Sequence, residues 1–248
     1  MEDYISQLNT ILSELFSTYA RTITKPGVLL SGGIDSSLIT YFVSHSFSSY
    51  SVLSMGAENT KDLKYVKIIC DYLRSYYEWV ELTKDKIIIA LPMVRSILIK
   101  EHIPNSLMQV SLATGYFLIF EKAKKMGITH IITGQGPDIL FAGYHKYKTC
   151  VNINNEIKSD LELLEVDKRR DSSIAKYFGI TLINPYLEHQ FVEFALSVPS
   201  KYKIHQGVEK LLLRLLAKKL GLPEEIINRP KKAFQYSTGI QNIIRRVM

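Results

Sequence analysis

Short apolar segments alternate with helical patterns over the first 145 residues, and this alternation limits the fold more than any other feature of the sequence. Four apolar segments are predicted strands: GVLLS at 27–31, residues 50–55, YYEWVEL at 76–82 and THIIT at 129–133. The predicted helices of this part are about 36–46, 62–75, 87–100 and 106–125. Because strands that alternate with crossover helices form parallel sheets covered on both faces, the sequence predicts an α/β fold.

After residue 145 the pattern is mostly helical, with predicted helices at 159–177, 188–197 and 209–220. We expect one domain over 1–248, with an α/β core at about 20–145 and a mainly helical part at about 150–248. The helical part is basic, since 11 basic and only 3 acidic residues lie from Pro199 onward in a chain of net charge +7. This concentration is typical of a solvated helix surface, of a site for a phosphate-rich ligand, or of a nucleic-acid surface.

Composition excludes several other classes of protein. Hydrophobic residues make up 46% of the chain and charged residues 22%, which is typical of a globular protein and not of a disordered one. No apolar run reaches the roughly 18 residues of a membrane span, and the start MEDYISQLN does not resemble a secretory signal. Two cysteines, Cys70 and Cys150, cannot form a four-cysteine zinc site. We therefore expect a cytoplasmic protein without a membrane partner.

A glycine pair follows the first predicted strand and opens a helix, in the run Ser31-Gly32-Gly33-Ile34-Asp35-Ser36-Ser37. Two glycines let the backbone approach an anion closely, and the free N–H groups at a helix N-terminus favour phosphate. Asp35 would repel a phosphate unless a divalent cation lay between them. The run therefore indicates a site for a phosphate and a cation, and a turn whose Asp or Ser caps the helix is the structural alternative.

A second loop, Thr133-Gly134-Gln135-Gly136-Pro137-Asp138, also lies between a predicted strand and a helix. Ligands of open α/β sheets bind outside the carboxyl ends of the strands, so we expect Asp35 and Asp138 to face one crevice. Two carboxylates that converge there would bind Mg²⁺ with pyrophosphate, whereas two unrelated helix caps are the alternative.

A basic run, Arg229-Pro230-Lys231-Lys232-Ala233-Phe234, lies near the end of the helical part. A lysine that returned to the crevice would neutralise charge on phosphate and on a reacting acyl oxygen. From the residues alone, a pair of surface lysines explains this run equally well.

Four ordered segments resemble one family over about residues 28–239. SGGIDSS resembles the pyrophosphatase loop of the N-type ATP pyrophosphatases, and GQGPDILFAGY resembles the GEGxDELFxGY segment of the asparagine synthetase synthase domain. NPYLEHQFVEFAL is similar to the family's PFLDxxFVExAL, and EKLLLRLLAKKLGLPEEIINRPKKAF to K-x-x-LR…LP-x-x-I-x-x-R-x-K-x-x-F. On these motifs the chain is identified as a member of the asparagine synthetase (synthase domain) family.

The resemblance implies an adenine-nucleotide α-hydrolase (PP-loop) fold and an ATP-dependent, amide-forming ligase. ATP would activate a carboxylate as its adenylate, pyrophosphate would leave, and an amine would displace AMP. The implied cofactors are ATP and Mg²⁺, with Asp35 and Asp138 as magnesium ligands and Lys231 stabilising pyrophosphate and the acyl intermediate. The residues expected to bind ATP or pyrophosphate are Leu30, Ser31, Gly32, Gly33, Asp35, Ser36, Ser37, Met55, Thr133 and Gly134.

Two departures from the family concern the nitrogen donor. Glutamine-hydrolysing members begin with a glutaminase domain whose nucleophile is a cysteine next to the initiator methionine, whereas Glu2 stands there and the synthase motifs start near residue 28. We therefore expect ammonia, another amine or a separate glutaminase subunit to supply nitrogen. The family's Glu in GEG is Gln135 here, at a catalytic position where an amide cannot act as a base but can orient substrate by hydrogen bonds.

The partner of the substrate carboxylate is not identified by the motifs. The segment HIPNSLMQVSLATGYF stands where the synthetases carry an Arg-containing segment for the substrate, and it contains no arginine. Ser111 or a neighbour occupies the corresponding position.

Two other functions use the same glycine-containing loop. A PP-loop enzyme that modifies tRNA would contact nucleic acid through the basic part, but thiolation enzymes of that kind generally need paired reactive cysteines, and Cys70 lies on an apolar helix face. A non-catalytic nucleotide-binding subunit is consistent with Gln135, whereas intact Asp35, Asp138 and Lys231 favour an enzyme. Small carboxylate and amine substrates are the expected partners, nucleic acid is less favoured, and a homodimer is an assembly that the sequence leaves open.

Overall fold

The computed structural model describes residues 1–58 and 60–247. Over these residues the α-helices are α1 (Glu2–Thr22), α2 (Ile34–Ser46), α3 (Asp62–Tyr72), α4 (Lys84–Lys100), α5 (Leu107–Lys125), α6 (Pro137–Leu140), α7 (Ile153–Tyr177), α8 (His189–Ser197), α9 (Ser200–Lys203), α10 (Leu211–Lys219), α11 (Glu224–Ile227), α12 (Phe234–Ser237) and α13 (Ile240–Arg245). The strands are β1 (Gly27–Leu29), β2 (Ser51–Gly56), β3 (Tyr77–Glu81), β4 (His130–Ile132), β5 (Thr181–Ile183), β6 (Ile204–His205) and β7 (Val208–Glu209). Short 3₁₀ helices cover His145–Lys148 and Pro185–Leu187.

Five parallel strands form one sheet in the order β3-β2-β1-β4-β5. β1 lies in the middle, where Val28 pairs with Val52 of β2 on one side and with Ile132 of β4 on the other. This arrangement confirms the predicted α/β class. Because the chain runs from β1 outward through β2 to β3 and then returns to β4, the point between β1 and β4 is where the strand order reverses and where ligands of such sheets bind.

The sequence predicted four strands for the sheet and missed the fifth, β5, although the chain after residue 145 is mostly helical as predicted. β5 pairs in parallel with β4 at the edge of the sheet, with Leu182 opposite Ile131. None of its three residues is fully buried. Because β5 is short and only partly buried, its sequence has neither a buried apolar run nor an alternating pattern long enough to be recognised.

Helix α1 also lies outside the predicted elements, the first of which began at residue 27. Its buried residues are Ile5, Leu8, Leu12, Leu15 and Phe16, and it packs on α2, α8 and α10. This three- and four-residue spacing is the signal of an amphipathic helix and was available in the sequence. Other boundaries differ by a few residues; α7 begins at Ile153 because Asn152 accepts a hydrogen bond from the Asn155 N–H at 3.1 Å.

Two hydrophobic clusters cover the two faces of the sheet, as predicted. Val28, Val52 and Ile132 belong to the cluster that contains residues of α1, α2 and α10. Leu53 and Ile131, their neighbours along the strands, belong to the cluster with α4, α5 and α13. Because successive strand residues point to opposite faces, β1, β2 and β4 read as nearly continuous apolar runs. Among the described helices, none is both long and apolar enough to cross a membrane.

Candidate active site

The loop after β1 turns sharply before α2 and is tied together by two serines. The Ser31 N–H donates to Ser36 Oγ at 3.1 Å, and the two hydroxyl oxygens lie 3.0 Å apart. Gly32 has a φ of +72°, which favours glycine, and α2 begins directly after Gly33. The N–H groups in the first turn of α2 have no partner within the helix and are available to an anion.

The loop after β4 lies against this turn. The Thr133 hydroxyl donates to Asn184 Oδ1 at 2.5 Å, and the Tyr186 hydroxyl donates to the Asp35 carbonyl at 3.1 Å. A Cβ on Gly134 would lie 2.9 Å from the Ser36 nitrogen and 3.0 Å from the Asp35 carbonyl carbon. The segment after β5 therefore supports both loops, and a glycine at 134 permits their close approach.

We expect Gly134→Ala to lower the midpoint of thermal unfolding by several degrees. The added methyl group meets backbone atoms that cannot rotate away, and overpacking of this kind costs about 1–3 kcal/mol. Gly33→Ala is the matched control, because its Cβ would make an ordinary contact of 3.4 Å with Ser31 Oγ. Equal losses in the two variants, measured by thermal unfolding without ligand, would contradict the close approach of the loops.

A buried lysine joins the two carboxylates that the sequence analysis singled out. Lys210 Nζ lies 2.5 Å from Asp35 Oδ2 and 2.6 Å from Asp138 Oδ1, and Lys231 Nζ lies 2.5 Å from Asp138 Oδ2. The Lys210 side chain is 3% exposed and the Lys231 side chain 22%. Asp35, Asp138 and Lys231 thus converge as predicted, and Lys210 completes a set of two anions and two cations.

The two carboxyl groups differ in pKa because Asp138 contacts two lysines and Asp35 contacts one. Burial raises the pKa of Asp138, but Lys210 and Lys231 outweigh burial and hold it at about 2. Asp35 has only Lys210 as its direct cationic partner, so burial and repulsion from Asp138 prevail and its pKa is raised. For Lys210, attraction to both carboxylates exceeds the cost of burial and raises its pKa. Its ammonium therefore stays charged throughout the neutral range.

Lys210 is not among the site residues predicted from the sequence motifs. Its backbone is left-handed, with a φ of +56°, and it stands directly before α10 after the turn between β6 and β7. A Cβ on Gly143 would overlap Lys210 Cε, so that glycine leaves room for the lysine. The available signal was the K-x-x-LR motif, whose lysine is Lys210 and whose arginine is Arg214.

The arginines of the basic part also turn inward. Arg229 donates to the Ser31 carbonyl at 2.7 Å, pairs with Asp62 and lies 4.1 Å from the centre of the Tyr65 ring. Arg214 donates to the carbonyls of Ile227 and Arg229. Arg229 therefore holds the C-terminal segment against the β1 loop, while Lys201, Lys218, Lys219, Lys232, Arg245 and Arg246 are exposed.

These groups line one cavity of about 630 Å³ at the point where the strand order reverses. Of the predicted site residues, those that line it are Leu30, Ser31, Gly33, Asp35, Ser36, Met55, Thr133, Gly134, Gln135, Asp138 and Lys231. Gly32 and Ser37 do not: a Cβ on Gly32 would meet Tyr65, and Ser37 is fully buried. Phe234 also lines the cavity and stacks on Tyr116 with ring centres 6.0 Å apart.

The donor set fits a magnesium ion held jointly with phosphate. Asp35 Oδ1 is buried and has no hydrogen-bond partner among the described residues. No group of three or more His, Cys, Asp or Glu side chains that could hold a metal occurs within 1–58 and 60–247. Asp35 and Asp138 would therefore need phosphate oxygens and water to complete the coordination, as is usual for Mg²⁺ in nucleotide sites.

The parallel sheet, its strand order and the two loops at the reversal point define a PP-loop protein of the adenine-nucleotide α-hydrolase type. The family model described as asparagine synthase matches residues 11–176 and 157–247. The chain belongs to the asparagine synthase family.

Curated relatives agree with this assignment, and a solved structure shares the fold. The glutamine-hydrolysing asparagine synthetase of Cricetulus griseus is 30% identical over 98% of this chain and 45% of its own length. That of Lotus japonicus is 28% identical over 86% of this chain and 39% of its own length. The chain thus spans less than half of these relatives. A U34-tRNA thiolase from Methanococcus maripaludis matches all of this chain and 74% of its own at a TM-score of 0.51 and 13% identity, which is a likeness of fold.

Proposed function

We propose that this chain is an ATP-dependent, amide-forming ligase that activates a carboxylate as its adenylate. The observation that carries the proposal is the set of Asp35, Asp138, Lys210 and Lys231 at the reversal point of a PP-loop sheet. Two carboxylates at that point are suited to bind a magnesium ion that also binds pyrophosphate. Two lysines there are suited to stabilise the negative charge of the departing pyrophosphate. That the chain forms a single domain, with its nucleotide site in the α/β core, remains a prediction.

Each group has a defined part in this reaction. The N–H groups of the Gly33–Ser36 turn and the two tied hydroxyls would bind the pyrophosphate portion of ATP, while Leu30, Met55 and Gly134 would border the adenine. Mg²⁺ held by Asp35 and Asp138 would neutralise the phosphates as charge moves onto the leaving group. Lys231, whose Nζ lies 5.2 Å from the centre of the Tyr144 ring, would stabilise the charge on the acyl oxygen.

The second substrate is an amine. The relatives named above are glutamine-hydrolysing enzymes, and this chain spans less than half of each. We propose that ammonia, another amine or a separate glutaminase subunit supplies nitrogen here. A cytoplasmic location and a homodimer remain predictions.

The thiols and the basic residues favour this function over tRNA thiolation. Burial raises the pKa of Cys70 to about 12, which leaves the thiol unreactive, and Cys150 donates to the Tyr147 carbonyl at 3.5 Å. Arg214, Arg229 and Lys231 are engaged within the protein, so these three basic residues serve the fold and the cavity.

Exchange of labelled pyrophosphate into ATP tests the proposal, because it requires adenylate formation and no amine. We expect Mg-ATP and one member of a panel of amino acids and dicarboxylates, aspartate first, to support exchange. Lys231→Ala should slow it about 10²-fold, the usual cost of removing one stabilising group. Lys218→Ala, an exposed lysine of α10 that does not line the cavity, is the control and should retain most of the rate. Absence of exchange with every acid would overturn the proposed activity.

A further inference from the structure

Arg214 lies beside the cavity but has no direct part in the proposed reaction. It belongs to α10, four residues after Lys210, and its side chain is 10% exposed. The Glu209 carboxylate lies 3.8 Å from its guanidinium, which is too far for a hydrogen bond. A buried guanidinium needs hydrogen-bond partners for its N–H groups, and those of Arg214 are backbone carbonyls.

The guanidinium of Arg214 donates to three carbonyls in two segments of the chain. Its Nε donates to the Glu209 carbonyl at 2.9 Å. One terminal nitrogen donates to the Ile227 carbonyl, and both terminal nitrogens donate to the Arg229 carbonyl, at 3.3 and 3.2 Å. Because the guanidinium is planar and its N–H groups point in fixed directions, these bonds fix the distance between the two segments.

Each of the two segments leads into one of the two lysines of the site. The Glu209 carbonyl belongs to the peptide bond that precedes Lys210. Arg229 lies two residues before Lys231, and the residue between them is Pro230, whose ring restricts φ to about −65° and stiffens the link. The guanidinium therefore holds the backbone before both lysines.

The backbone of Lys210 needs such support because lysine rarely adopts its conformation. Its φ is +56°, which is unfavourable for a residue with a side chain and persists only where the surroundings fix it. The Arg214 side chain holds the carbonyl before Lys210, and the Arg214 N–H donates to the Lys210 carbonyl at 3.1 Å. Without the side-chain bond, the peptide bond before Lys210 could rotate and carry the ammonium group away from Asp35 and Asp138.

We propose that Arg214 is a positioning residue that sets the separation and orientation of the Lys210 and Lys231 ammonium groups. The two groups contact opposite oxygens of one carboxylate, Asp138 Oδ1 at 2.6 Å and Asp138 Oδ2 at 2.5 Å, so a change in their separation weakens both contacts. The inference rests on the proposed function, in which these lysines stabilise negative charge in the transition state. A group misplaced by about 1 Å can cost about 10²-fold in rate.

Arg214→Lys tests this role, because lysine keeps the positive charge but cannot bridge the two segments. We expect kcat for pyrophosphate exchange to fall about 10²-fold, while the KM for the acid changes by less than about threefold. Leu216→Val is the control, since it removes one methylene group from a buried side chain of the same helix and does not border the cavity. It should lower the unfolding midpoint by a few degrees and retain kcat per folded chain.

A double-mutant cycle with Lys231→Ala separates positioning from a purely structural role. Lys231→Ala alone should slow exchange about 10²-fold. Addition of Arg214→Lys to that variant should then cost only about tenfold or less, because one of the two lysines that Arg214 positions is already absent. An equal loss in both backgrounds would overturn the inference.

Binding of ATP in the presence of a chelator gives a readout without turnover. Without magnesium, Lys210 and Lys231 are the cations that face the phosphates, so Arg214→Lys should weaken binding about fivefold or more in titration calorimetry. Leu216→Val should bind as the wild-type chain does. If Arg214→Lys does not fold, Arg214→Gln takes its place with the same expectations, because its amide can donate to a carbonyl without a buried charge.

The two measurements distinguish this inference from the proposed function. Absence of exchange with every acid in the wild-type chain would overturn the proposed function, and an ATP affinity that depends on Arg214 would still support the positioning of the lysines. Wild-type kcat and wild-type ATP affinity in Arg214→Lys would overturn the positioning role and leave the proposed function standing.

Discussion

Lys210→Met should abolish pyrophosphate exchange and strongly destabilise the folded chain. Lys210 is the cation between Asp35 and Asp138, and its removal leaves two buried carboxylates facing each other. Loss of one partner from a buried ion pair costs about 3–5 kcal/mol. Removal of a group that stabilises the leaving pyrophosphate should also lower the exchange rate by about 10³-fold.

The destabilisation should depend on pH. In the wild-type chain Lys210 and Lys231 hold the pKa of Asp138 at about 2; without Lys210 the pKa of each aspartate rises, because burial and mutual repulsion remain. Protonation then relieves the variant as pH falls. The loss in free energy of unfolding should therefore be largest at pH 7 and smaller at pH 5, as measured by urea denaturation.

Lys148→Met is the control for this substitution. Lys148 Nζ pairs with Glu209 Oε2 at 3.0 Å with its side chain about one-third exposed, so its loss should cost under about 1 kcal/mol and leave exchange unchanged. Exchange at the wild-type rate in Lys210→Met would remove Lys210 from the proposed machinery.

Asp138→Asn should abolish turnover and leave the nucleotide site able to bind. The substitution keeps the shape of the side chain but removes the anion that faces both lysines. Magnesium-dependent exchange should fall about 10³-fold or more, since one of two carboxylate ligands is lost. ATP without magnesium should bind at least as tightly as to the wild-type chain, because Lys210 and Lys231 gain surplus positive charge.

Titration calorimetry with ATP in the presence of a chelator, beside the exchange assay, checks both parts. Asp160→Asn is a matched control, because Asp160, like Asp138, accepts a hydrogen bond from a lysine, Lys146. Asp160 also accepts from the Tyr147 hydroxyl and does not line the cavity. It should lower stability and retain exchange. Retained exchange in Asp138→Asn would show that a metal ligand had been misassigned.

The α/β half of the fold was predictable because backbone geometry follows from local patterns. Apolar runs separated by helical spacing indicated four strands, and the carboxyl ends of parallel strands necessarily meet at one edge. The convergence of Asp35 and Asp138 followed from that rule alone. β5 escaped because its three residues are only partly buried, so no pattern distinguishes them from a loop.

The residues missed by sequence reasoning are those placed by tertiary packing. Lys210 reaches Asp35 across 175 residues, and its left-handed backbone has no counterpart in helix or strand periodicity. Arg170 lies on a helix that was predicted, at 159–177, but packing against α5 decides which face of that helix borders the cavity. The α5 segment itself has no arginine, whereas Arg170 contacts Gln109 of that segment from α7.

The two carboxylates and the two lysines of the site lie far apart along the chain, so they become available at different times during synthesis. A chain is synthesised from its N-terminus, so the helices that carry Asp35 (α2) and Asp138 (α6) are made well before Lys210 and Lys231. Until residues 210–231 emerge, the two carboxylates have neither lysine and the β1 loop lacks Arg229. On the proposed function, a nucleotide would meet the complete set of four charged groups only after residues 210–231 have been synthesised.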